Sequence, residues 1–529
     1  MESVFLDRLR TNYAPSDEEI ERIQNYLDLQ TKEFDRLKKL IQNLCSERDK
    51  IGDYLDSHKA LISLPRRLPR DIVQEIFLAC LPTDRNAVMS PTEAPLLLCR
   101  ICSAWRNIAH TTPQLWASIH IPFHFVLEDE RRMPAFEEWL QRSAACPLSL
   151  SLVGDIWDHG SGWDHSNIFL SSKGVGALCK LLIKTAPRWR CAELASFDAT
   201  VLLRFVEVHA PMLELLKISG DLPVASDDEP FNESRIALLE GERLRELHLY
   251  SGHPRTFVPD ADWNRLGHLS ISTFLHLREP EADSIYAFEV LRSTPRLLSL
   301  ECGSHMMIQH LSEPLTLPFL HKFVISDRSS IDALDDLFEK LWMPDLRYIA
   351  LPPQTDAASA LERLSKKSPL VQHLSCSVPS FIGGSANLDM AIFFPALTHL
   401  ELMDSDWGNI DDILSRLTPG PEPQSSLVLI YPALTELVVD QHHSLPVDVL
   451  QTFLERRVGF GTPFRRLAIQ FKQAPDRNRK ASFENCIAPF RDHGLDVSIT
   501  FPPSPWGLSS EVHLSPWIGL PSYDGRESA

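Results

Sequence analysis

The sequence predicts an α/β chain in three parts: a long N-terminal helix, a small all-helical module, and an irregular solenoid of strands backed by helices. Three observations carry this. Apolar positions alternate in steps of three and four through residues 20–55. Prolines then fence short apolar segments between Leu64 and Pro82. From residue 213 onward, one spacing of apolar residues returns ten times. The predicted boundaries are 1–60 for the helix, 61–120 for the module, 121–500 for the solenoid and 501–529 for a disordered tail.

Composition limits what such a chain can be. Its 529 residues are 44% hydrophobic and 23% charged, enough to build a large core without a metal or disulfide. The net charge is -19, of which residues 121–529 carry -18. An acidic surface of this kind disfavours nucleic acid and anionic membrane, and neither is expected as a partner. The ten cysteines are scattered singly except Cys99 and Cys102. That usage fits the reduced thiols of the cytosol or nucleus. The opening "MESVFLDRLR" lacks the apolar centre of a secretory signal, and no run approaches the roughly 18 apolar residues of a membrane span.

The first part is read from Ile20, Ile23, Leu27, Gln30, Phe34, Leu37, Ile41, Leu44, Arg48, Ile51 and Leu55. Nine of these eleven are apolar, which makes the a/d seam of about five heptads. Ser16 is placed as the N-cap, with Glu19 as its capping-box partner, and Gly52 weakens the far end. The seam admits two readings: self-association through residues 20–55, or packing on the same chain. Gln30 and Arg48 either set its register or mark where it loosens.

In the second part, Ile72, Ile76, Phe77 and Leu81 share a helical face that Pro82 terminates. A polar loop, "TDRNAVMSPTEA", leads to "PLLLCRICSAWRNIAH", where Leu97, Ile101, Trp105 and Ile108 line a face. So few short helices cannot bury all this apolar surface on one another, and the surplus predicts a docking surface. This ordered set resembles the F-box. Leu68 and Pro69 match its leading Leu-Pro, and Ile72, Ile76 and Phe77 match the contact face of its first helix. Ile101, Cys102, Trp105 and Arg106 match its later segment. Asp71 stands where Glu is more usual, and the long loop leaves the alignment of Leu96 to Leu98 open. With the heptad helix before it and "FEEWLQRSAACPLSLSL" after it, the chain resembles the large F-box family of mushroom-forming fungi.

The third part rests on the repeated pattern of an apolar residue, two residues, an apolar residue, one residue, an apolar residue. Leu213-Leu216-Ile218 is the first instance, Leu397-Leu400-Leu402 a typical one and Phe464-Leu467-Ile469 the last. Successive starts lie 22 to 37 residues apart. Proline stands one or two residues ahead of most copies, as at Pro211, Pro295, Pro318, Pro344, Pro369, Pro395, Pro432 and Pro463. Period-two alternation predicts a short strand, and the proline a turn into it. Segments such as "IYAFEVLRS", "ASALERLSK" and "LQTFLERR" predict helices between strands. The pattern resembles a leucine-rich repeat. It departs from that family in lacking the asparagine: Asp221, Gly252, Phe274 and Ser405 occupy the slot in four copies. The rival reading, an all-helical HEAT or armadillo solenoid, fits the period-two positions less well. "CPLSLSL" and "PRWRCAEL", upstream, read as degenerate early repeats.

The search for chemistry yields little. There is no P-loop, dinucleotide fingerprint or nucleophile elbow, and "FIGGSAN" reads as a loop. Cys99 and Cys102 lack two further ligands for zinc, and packing is the favoured reading. "DIWDHGSGWDH" gathers Asp155, Asp158, His159, Asp164 and His165, groups able to bind a cation or exchange protons, but reads better as a surface loop. "SDDEP" and "TPGPEPQSS" read as loops, His442 and His443 lack a partner pattern, and the tail's repeated "SPW" is either a linear binding motif or chance. No catalytic residue, cofactor or metal is expected. The F-box resemblance implies a substrate receptor: the module would dock a Skp-type adaptor of a cullin-based SCF ubiquitin ligase, and the repeats would hold an unidentified protein target. The alternative is an interaction scaffold with no ligase role.

Overall fold

The computed structural model describes residues 5–62, 64–122, 133–153, 173–195, 199–220, 236–251, 263–273, 290–303, 314–326, 331–352, 358–377, 394–403, 414–415, 417–418, 431–441, 445–459, 461–471 and 477–500. The chain forms two units, 1–76 and 77–529.

Helix α1 (Asp17–Leu61) fills most of the first unit. Ser16 and Glu19 form the expected capping box: the Glu19 amide donates to Ser16 Oγ at 3.4 Å, and the Ser16 amide donates to Glu19 Oε2 at 3.0 Å. Tyr13 and Arg8 also donate to this carboxylate, at 2.8 and 2.6 Å. These bonds, the Ser16 amide first, hold its pKa down at about 2. Gly52 does not end the helix, which continues to Leu61. One glycine costs about 1 kcal/mol, too little to break so long a helix. No residue of α1 is buried.

Helices α2 (Leu64–Arg67), α3 (Arg70–Ala79), α4 (Leu98–Ile101) and α5 (Ser103–His110) make up the module, with α3 crossing the boundary between units. The Cys102 thiol caps α5, accepting from the Trp105 amide at 3.4 Å.

Among the described residues, the second unit is organised by a parallel sheet whose fourteen strands lie in chain order. They are β1 (Ser118–Pro122), β2 (Leu148–Val153), β3 (Trp189–Ala195), β4 (Leu215–Ser219), β5 (Glu246–Ser251), β6 (His268–Thr273), β7 (Ser299–Cys302), β9 (Lys322–Ile325), β11 (Tyr348–Ala350), β12 (His373–Ser377), β13 (His399–Met403), β14 (Glu436–Gln441), β15 (Arg466–Phe471) and β16 (Asp496–Thr500). The two-residue strands β8 (Leu315–Thr316) and β10 (Leu341–Trp342) pair separately. Each of the ten sequence repeats becomes one strand, from β4 to β15. The two degenerate copies are β2 and β3.

The register explains the pattern. The middle apolar residue of every repeat falls in one row, Leu216, Leu247, Leu269, Leu300, Phe323, Ile349, Leu374, Leu400, Leu437 and Leu467, and every member is buried. Burying such a row against the backing elements supplies the main driving force. Six of the prolines ahead of the repeats, Pro211, Pro295, Pro318, Pro344, Pro395 and Pro432, occupy the second place of a hydrogen-bonded turn. Leu213 donates its amide to Ala210 across Pro211, Leu346 to Met343 across Pro344, and Leu397 to Phe394 across Pro395. Proline's fixed φ suits that place. Between strands lie α6 (Met133–Arg142), α7 (Lys173–Thr185), α8 (Ala199–Val206), α9 (Ile331–Lys340), α10 (Ala358–Lys367), α11 (Val447–Gly459) and α12 (Arg477–Asp492). Helices α10 and α11 fall on two of the predicted helical segments; "IYAFEVLRS" lies largely outside the described residues. Lys367 ties α10 to α9 by donating to the carbonyls of Phe338, at 2.9 Å, and Glu339. On α11, the buried Arg457 donates to the carbonyls of Leu417 and Tyr431 at 2.9 and 3.2 Å. Burial lowers its pKa to about 10, which leaves it cationic at neutral pH.

The long loop of the module has a structural task. Val88 forms a parallel bridge with His120 on the edge of β1, and the His120 amide donates to the Ala87 carbonyl at 2.8 Å. Asn86 Oδ1 accepts from Ser118 and Ser149 hydroxyls, at 2.9 and 2.7 Å, spanning β1 and β2. Ala87 and Val88 are buried. A free sheet edge invites pairing with other chains, and this segment covers one.

Candidate functional sites: the helical module and the open face of the sheet

The residues singled out in the module have divergent surroundings. Leu68, Ile72 and Ile76 are 37%, 44% and 40% exposed, and the last two lie one turn apart on α3. Pro69 is exposed as well. Ile101 is 54% exposed and Cys102 is exposed beside it. Phe77, expected on the contact face, is instead fully buried, and the Trp105 ring packs against it at a tilt of 60° with ring centroids 4.9 Å apart. Its position one residue past Ile76 turns it about 100° round the helix, away from the face of Ile72 and Ile76. Phe77 is thus a core residue, and the half-buried Trp105 packs on it. Arg106 donates Nε to the Cys99 carbonyl at 2.8 Å, joining α5 to α4. Cys99 is buried, which raises its thiol pKa.

A second arrangement appears only when the strands are aligned. The residue just before the middle apolar position faces away from the core. Its row starts with Leu215 and runs on through Glu246, His268, Ser299, Lys322, Tyr348, His373, His399, Glu436, Arg466 and Asp496. From Lys322 onward its members touch in series. The Lys322 ammonium lies 5.2 Å from the Tyr348 ring centroid, and that ring lies 4.3 Å from His373. His373 stacks on His399 at 5.3 Å with the planes 4° apart. His399 Nε2 is 3.5 Å from Glu436, Glu436 is 2.8 Å from Arg466, and Arg466 is 3.5 Å from Asp496. Burial, then the neighbouring His399, lowers the His373 pKa. Burial, then Glu401 and Glu301, raises that of Tyr348.

This ladder presents cation, aromatic, imidazole and carboxylate in fixed order on adjacent parallel strands. It suits recognition of a charged surface and holds no nucleophile activated by a base. Among the described residues, no group of three or more His, Cys, Asp or Glu could hold a metal ion. Also among them, no helix is long and apolar enough to cross a membrane. The clusters at 155–165, 226–230 and 381–387, His442, His443, the four slots lacking asparagine and the tail all lie outside the described residues.

No family model matches the chain, and no curated protein does. Among solved structures it is similar to a chain in the crystal structure of a TLR13–ssRNA13 complex, at 14% identity and a TM-score of 0.30. The match covers 55% of this chain and 40% of that one. The architecture is therefore read from the sheet itself. Fourteen parallel strands in chain order, each repeat contributing one strand at constant register and a buried apolar row, make this an α/β protein with a long N-terminal helix and a leucine-rich-repeat-like solenoid.

Proposed function

We propose that the chain is the substrate-receptor subunit of an SCF-type ubiquitin ligase. The module docks a Skp-type adaptor, and through it a cullin, while the open face of the sheet holds a protein target. The observation that carries this reading is the solvent exposure of Leu68, Ile72, Ile76 and Ile101, apolar side chains at the positions the F-box resemblance assigns to adaptor contact. Ile72 and Ile76 stand one turn apart on α3 as neighbouring exposed apolar groups, and contiguous apolar surface of this kind is what a partner covers. The chain performs no bond chemistry in this reading. It acts by proximity, raising the effective concentration of target at the ligase.

The test is co-purification of the full chain with a Skp-type adaptor, wild type against a Leu68→Ala/Ile72→Ala double variant. These positions are exposed, so the fold should survive the change, which circular dichroism checks. The expected result is a stoichiometric complex for wild type and at least a tenfold weaker one for the variant. If wild type does not bind, the receptor reading fails, and a scaffold with no ligase role takes its place.

A further inference from the structure

The apolar seam of α1 is exposed at Leu27, Phe34, Leu37, Ile41, Leu44 and Ile51, and no residue of the helix is buried. We infer that a second copy of this chain covers it, as a parallel coiled coil in register. This does not rest on the receptor reading.

The charges flanking the seam choose both the occupant and the direction. With Ile20 at an a position, Glu33 falls at g and Lys38 at the following e. In a parallel pair, g of one helix faces the next e of its partner, so Glu33 meets Lys38 of the second copy, twice by symmetry. Arg48, at a, lies beside Glu47 of the second copy at g, which offsets the meeting of two arginines across the seam. Gln30 meets its own copy at d, where each amide can both donate and accept. The antiparallel alternative sets a against d; the register that pairs its two polar seam residues matches Gln30 with Arg48, whereas a shift of one heptad either way sets each of them against an apolar residue. The Gln30–Arg48 register would also bring Glu33 to Glu47 at two places and Lys38 to Lys38 at the centre. Like charges at these places oppose pairing, so the parallel arrangement is favoured. In the single chain Glu33 binds Arg36 at 2.8 Å, but both side chains are more than half exposed. Such a surface pair contributes little and leaves the carboxylate accessible to a partner.

The test is sedimentation of the full chain over a concentration series. Wild type, Glu33→Lys, Lys38→Glu and the double exchange are compared. The parallel pair predicts a dimer for wild type, about tenfold weaker association for each single variant, and recovery in the double exchange. A Leu37→Cys variant should also cross-link to itself on oxidation, beyond any wild-type background, because only a parallel pair sets residue 37 against its own copy. A wild-type chain that stays monomeric across the series overturns the proposal. Tighter association of Glu33→Lys overturns it too, since that variant would relieve the antiparallel clash with Glu47.

Discussion

His373 illustrates how a single side chain takes its properties from a register. It stands between Tyr348 and His399 because three successive repeats carry those residues at one position. Burial comes first among the causes that lower its pKa; His399 and Lys322 act in the same sense, and Glu401 and Glu436 oppose them. A folded-state pKa below the ordinary 6.5 means that the unfolded chain binds a proton more readily in the window between the two values. The contribution of His373 to stability is therefore complete above about 6.5 and is lost as pH falls below it. Urea midpoints at pH 7.5 and 5.5 should show a smaller pH dependence for His373→Asn than for wild type. An unchanged dependence would mean that His373 titrates alike in both states.

At the scale of elements, the sheet's first edge depends on a segment that reads as loop. Asn86 joins two strands through one carbonyl oxygen, and Val88 extends the sheet by one bridge. Asn86→Ala removes both acceptor contacts and should cost about 1–2 kcal/mol, read from the shift in urea midpoint at constant slope. Elements differ in how legible they were. The ten repeats were plain because each apolar position maps onto one buried row, and because proline marks the turn before it. The capping box was plain because Ser16 and Glu19 act locally. The edge cap was not, since a polar loop gives no sign of which edge it will cover. The ladder was hidden too: its residues share one position of the repeat, but the residue type there changes from copy to copy, and their adjacency exists only once the register is known. The burial of Phe77 was not legible because face assignment by spacing ignored the turn of about 100° between it and Ile76.

For the whole molecule, a sheet built in chain order behaves as a one-dimensional array, each strand held by its two neighbours. Leu374 lies within the buried row, with Ile349 on one side and Leu400 on the other. Leu374→Ala should cost about 2–5 kcal/mol. Hydrogen exchange should record the loss first in β11, β12 and β13, while β2 and β3 keep their protection. Equal loss throughout would show the solenoid to unfold as one cooperative block.

The constant register across connections of unequal length also fixes a ruler. Adjacent strands stand about 4.8 Å apart, so the open row advances by that step whatever the length of the segment between strands. An extended chain laid across the strands advances about 3.4 Å per residue and drifts half a step out of phase within about two rows. An α-helix advances about 5.4 Å per turn and stays within half a step for about four. Lys322, Tyr348, His373 and His399 form such a run of four, and the sheet is commensurate there with the pitch of a helix.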